Sequence, residues 1–120
     1  MKKITIAFDV DGTLIRNNGP GDMDGGKPVA NERIRSLLIA LASFKNVHII
    51  VWSGGGELYV RQVCAALAIE EYVDEYRGKN LVGRNSDGSH IFEPGLTPDI
   101  AIDDIQSCEL GSLNLIVREK

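Results

Sequence analysis

Apolar residues fall along this chain in two kinds of run. Ile4-Thr5-Ile6-Ala7-Phe8 and Val47-His48-Ile49-Ile50-Val51-Trp52 are short and nearly continuous, the pattern of strands buried on both faces. Between them, Ile34, Leu37, Leu38, Leu41 and Phe44 recur at helical spacing, which predicts an amphipathic helix over about 30–44. Pro28 suits the start of that helix. A second helix is expected over about 57–67, with Val60, Cys64 and Leu67 on one side. Further strands are expected at 73–76, at 99–103 after Pro98, and at 113–117. Strands alternating with helices predict a parallel sheet covered on both faces. The stretch 80–98 breaks the rhythm: Asn85-Ser86-Asp87-Gly88, flanked by Leu81/Val82 and Ile91/Phe92, predicts an inserted β-hairpin.

Length and composition fit a single globular domain. The chain has 120 residues, 43% hydrophobic and 25% charged, enough to bury roughly two thirds of its unfolded surface. No apolar run approaches the ~20 residues of a membrane span. Met1-Lys2-Lys3 leads into five mostly apolar residues and then an Asp, which does not fit a signal peptide. Cys64 and Cys108 show no ligand spacing, so reduced thiols and a cytoplasmic location are expected. The net charge of −4 shows no basic stripe and argues against general nucleic-acid affinity.

The acidic residues change the picture. Asp9/Asp11 and Asp103/Asp104 sit at the ends of apolar runs, and ligands of open α/β sheets bind beyond the carboxyl ends of strands. Ser53-Gly54-Gly55-Gly56 closes the second strand, so three strand ends would bring polar groups to one crevice. The sharpest signal is Asp9-Val10-Asp11-Gly12-Thr13; a chance D-x-D-G-T in such a chain is on the order of one in a thousand. Gly12 lets the chain turn sharply and approach a ligand with its backbone. A strand-end reversal would explain Asp11-Gly12 but not the second carboxylate. An Asp with an ordinary pKa of about 3.9 is ionised at neutral pH and can attack phosphorus without a base. A divalent cation held by oxygen ligands would remove the repulsion between that carboxylate and a phosphate. Asp11 would serve as acid toward the leaving oxygen and then as base for water. The glycines after Ser53 read either as a plain turn or as a cradle of backbone N–H groups for phosphate.

Asp9-Val10-Asp11-Gly12-Thr13-Leu14 resembles the first motif of the haloacid dehalogenase superfamily, and the resemblance covers most of the chain apart from 80–98. It implies a Rossmann-like three-layer α/β domain, Asp9 as nucleophile, Asp11 as acid/base, and a metal contact from the Asp11 carbonyl. Ser53 resembles the second motif, which binds the transferring phosphoryl group, with Gly12, Gly54 and Lys79 sharing that task. Ile100-Ala101-Ile102-Asp103-Asp104 resembles the acidic motif that, with Asp9 and Asp11, holds Mg²⁺. The third motif needs one cation: Lys79 is preferred, with Arg77 and Arg84 as rivals. The family pattern implies a phosphatase rather than a dehalogenase, since Asp11 and the metal have no role in dehalogenation. The loop 16–27 is too short for a cap domain and the second insertion point holds only the hairpin. A capless member acting on a phosphorylated substrate, large or covered by a second subunit, is therefore expected. Two alternatives stay open: a non-catalytic module that binds Mg²⁺ and phosphate or a partner, and a phosphotransferase with an acceptor other than water.

Overall fold

The computed structural model describes residues 2–17, 27–79, 81–84, 86, 90–92, 97–104 and 110–118. Five parallel strands form the sheet: β1 (Ile4–Asp9), β2 (Val47–Ser53), β3 (Glu75–Gly78), β6 (Ile100–Asp103) and β7 (Leu113–Ile116). Their order is β3-β2-β1-β6-β7. The helices are α1 (Glu32–Ala42) and α2 (Glu57–Ala66), with a 3₁₀ turn at Glu70–Tyr72. The hairpin expected within 80–98 is present as β4 (Leu81–Arg84) and β5 (His90–Phe92), paired antiparallel in a separate two-stranded sheet. Its turn, at 85 and 87–89, lies outside the described residues, as do Cys108 and 18–26 of the loop after the first motif.

Alternate residues of the strands face two different cores. Ile6 and Phe8 of β1, Ile49 and Val51 of β2 and Ile102 of β6 pack with Leu38 of α1 and with Val60, Val63 and Cys64 of α2. Ala7, Ile50 and Trp52 face the other way, into a smaller cluster with Leu110. Both helices therefore lie on one face, as expected when successive right-handed crossovers step in one direction across a sheet. After β3 the chain reverses direction and crosses to β6. Among the described residues no helix is found on that return, so the expected parallel α/β sheet is present with its described helices on one face.

Two further expectations shift. Leu37 and Phe44 are 38% and 57% exposed, because α1 is docked through Leu38 with Ile34, Ile39 and Leu41 half-buried beside it. The strand expected at 73–76 runs from Glu75 to Gly78. As an edge strand it tolerates Glu75 and Arg77, which an apolar-run criterion rejects. At the lower edge, Thr5 donates through its N–H (2.8 Å) and Oγ1 (3.1 Å) to Asp99 Oδ2, tying β1 to the start of β6. Among the described residues, no helix is long and apolar enough to cross a membrane.

Candidate functional site

The strand order reverses between β1 and β6, the place where open α/β sheets bind ligands. Asp9 ends β1 and Asp103 ends β6, and both are buried. Between them lies Lys79, whose side chain is 6% exposed; its Nζ donates to Asp9 Oδ1 at 2.7 Å and to Asp103 Oδ2 at 2.8 Å. Its place follows from strand register. Gly78 is level with Ser53, and the Lys79 N–H donates to the Ser53 carbonyl at 2.8 Å. The side chain then crosses to the switch point over the Trp52 ring, 5.6 Å from its centroid. Arg77 pairs instead with Glu75 on the exposed edge, and the Arg84 side chain is outside what is described. His48 bonds Glu75 at 2.8 Å, toward the start of β2 and away from Ser53. The indole N–H of Trp52 is buried and has no hydrogen-bond partner among the described residues.

The turn after β1 folds back on itself. Thr13, Leu14 and Ile15 donate backbone N–H groups to the carbonyls of Val10, Asp9 and Val10, and the Gly12 N–H donates to the Asn17 carbonyl. The buried Thr13 hydroxyl reaches Asp9 Oδ2 at 3.2 Å, so both oxygens of Asp9 are held. Gly12 has φ +72°, and a Cβ on it would lie 2.2 Å from Asp104 Oδ2. A side chain there would be strained by the backbone conformation and would displace the Asp104 carboxylate.

Asp9, Asp103 and Asp104 each offer one oxygen, all within 4.8 Å of one another. Three carboxyl groups crowd one ammonium, with Asp9 and Asp103 buried and Asp104 more exposed. Burial raises the Asp9 carboxyl well above the usual carboxylate range; Lys79 opposes this, while Asp103 and Asp104 add to it. Burial and the adjoining Asp103 likewise raise Asp104. Burial works against the charge on Lys79, but Asp9 and Asp103 outweigh it and its pKa is raised. The donor set is all hard oxygen, so these three residues could hold a hard metal cation.

The Asp11 carboxylate is turned away from this cluster. Its Oδ1 accepts from the Tyr59 hydroxyl at 2.7 Å and its Oδ2 from the Ser53 hydroxyl at 3.3 Å. Ser53 is fully buried, and its Oγ also accepts the Gly55 N–H at 3.0 Å. A Cβ on Gly54 would meet nothing within 4 Å, so that residue borders open space. Gly56 has φ +96°, which lets α2 begin directly beyond the turn. Thr13 belonged to the motif without an assigned role, and Tyr59 is a site residue that the sequence pattern did not single out. Tyr59, in the first turn of α2 after a glycine run at a strand end, carried a readable signal: an amphipathic ring beside the core position Val60.

An open cleft of about 620 Å³ runs along the β3 edge beside Arg61, Tyr76 and Arg77. Arg61 pairs with Glu57 and Arg77 with Glu75, so its cations are already engaged and the acidic cluster is the better candidate. No family model, curated protein or solved structure matches the chain.

Proposed function

We propose that the chain is a Mg²⁺-dependent phosphatase of the haloacid dehalogenase type, hydrolysing a phosphate monoester through an aspartyl phosphate on Asp9. The observation that carries the reading is the Lys79 ammonium bridging Asp9 and Asp103 beside Asp104. That grouping is costly to bury without a charged ligand, which makes it an improbable product of structural need alone. Asp9, Asp103 and Asp104 would hold the ion, with the Asp11 carbonyl as a further ligand. Bound there, Mg²⁺ supplies the positive charge that keeps Asp9 ionised and balances the phosphoryl oxygens.

An oxygen of Asp9 attacks phosphorus, the bond to the leaving oxygen breaks, and the proton of Asp11 goes to that oxygen. Water then attacks phosphorus, the bond to Asp9 breaks, and Asp11 takes the water's proton. Lys79 orients Asp9 and offsets charge on the phosphoryl group, which Ser53 and the backbone around Gly12 and Gly54 would receive. Among the described residues few other groups would contact a small substrate, so a large phosphorylated substrate or a second subunit would complete the site.

The test is p-nitrophenyl phosphate hydrolysis with Mg²⁺, in the wild type and in Asp9→Asn. Turnover is expected in the first and background in the second. Asp9→Asn with full activity, verified free of deamidation, would overturn the mechanism, and turnover in EDTA would remove the metal. Transfer of phosphate to an added alcohol instead of water would identify a phosphotransferase.

A further inference from the structure

We infer that Tyr59 is the positioning residue for Asp11, holding it by one oxygen while the Ser53 hydroxyl redirects its hydrogen bond from Asp11 to the phosphoryl group. The inference rests on the phosphoryl-transfer reading above. A serine hydroxyl has a single proton. Here the Ser53 oxygen accepts from the Gly55 N–H, so that proton is directed to Asp11 Oδ2, at 3.3 Å. A phosphoryl oxygen arriving at Ser53 competes for the same proton, and its greater charge makes it the stronger acceptor. Asp11 then keeps one partner: the Tyr59 hydroxyl, at 2.7 Å the shorter of its two contacts.

The fold provides for this contact. Tyr59 stands in the first turn of α2 and is 8% exposed. Its ring crosses the turn so closely that a Cβ on Gly55 would lie 2.7 Å from Tyr59 Cδ2. Gly55 therefore clears the path by which the hydroxyl reaches Asp11. A donor on one carboxyl oxygen leaves the other to carry the proton to the leaving group, and it stabilises the carboxylate left when that proton departs. Tyr59 acts through its contact with Asp11.

The consequence is a dependence on leaving group. An unactivated alkyl alkoxide needs the Asp11 proton, whereas p-nitrophenolate leaves without it. A hydrogen bond to a charged group is worth enough that its loss should lower the kcat/KM for an alkyl phosphate roughly ten- to a hundredfold.

The experiment measures kcat/KM, which reports steps up to alcohol release, for p-nitrophenyl phosphate and an alkyl phosphate. The proteins are the wild type, Tyr59→Phe, Asp11→Asn and the double variant. Tyr59→Phe is expected to slow the alkyl ester far more than the nitrophenyl ester, and to have no further effect in the Asp11→Asn background. Gly55→Ala, which displaces the ring but keeps the hydroxyl, should reproduce the pattern and stands in if Tyr59→Phe fails to fold. Equal losses for the two esters, or the same loss with and without Asp11, would overturn the inference while leaving the phosphatase reading intact. A wild type that turns over neither ester would overturn both.

Discussion

Replacing Lys79 by methionine keeps most of the side chain's volume and removes its charge. Asp9 and Asp103 are then left buried, with side chains 7% and 6% exposed and no ammonium between them. Removing one partner from a buried ion pair costs about 3–5 kcal/mol, against a total stability of roughly 5–15 kcal/mol for a domain. In a chain of this size that is a fall in Tm of roughly 10–20 °C. Protonation limits the loss. Burial already raises Asp9 above its unfolded value. Its protonation therefore favours the folded state on the acid side, and that contribution is lost as pH rises through the raised value. Without Lys79 the value moves higher still, so the deficit of Lys79→Met should be large at alkaline pH and shrink toward about pH 5. Mg²⁺ should act in the opposite sense to the substitution. An ion at a hundred times its Kd adds about 2.7 kcal/mol, and the variant's cluster, one charge more negative, should gain more than the wild type's. The assay is thermal melting of both proteins in EDTA and in millimolar Mg²⁺ across this pH range. A Lys79→Met protein within about 2 °C of wild type in EDTA at alkaline pH, or one indifferent to Mg²⁺, would refute the charge reasoning.

Two further outcomes follow from the same geometry. Gly12→Ala puts a Cβ 2.2 Å from Asp104 Oδ2 at a residue with φ +72°; the acid must swing aside, so the Mg²⁺-dependent rise in Tm should shrink or vanish while the backbone strain costs only about 1–2 kcal/mol. An unchanged Mg²⁺ shift would remove Asp104 from the ligand set. Thr5 holds Asp99 below its ordinary pKa by donating to the carboxylate, so its stabilisation is present at neutral pH and lost as pH falls through that lowered value. The Tm gap between wild type and Asp99→Ala should close in strong acid, and a gap that persists there would show that the contact is not ionic.

Much of the fold was legible because parallel strands buried on both faces write themselves as continuous apolar runs, and because the reversal of strand order gathers strand ends by topology. Ile4–Asp9, Val47–Ser53 and Ile100–Asp103 are of this kind, and so the acidic residues at two of their ends could be assigned to one crevice. An edge strand carries no such mark: β3 holds Glu75 and Arg77, and its register was invisible until paired with β2. That register decides the cation, since a residue one step beyond Gly78 reaches the switch point while Arg77 stays on the rim. The sequence by itself determined the strands, the Asp9-x-Asp11 turn and the acidic chemistry, all local patterns of a few residues. Only the tertiary structure decided that Lys79 bridges Asp9 and Asp103, that Gly12 lies under Asp104, and that Asp11 faces Tyr59. Those contacts join residues 24 to 92 positions apart, and no local pattern encodes a distance between segments that only the packed sheet brings together.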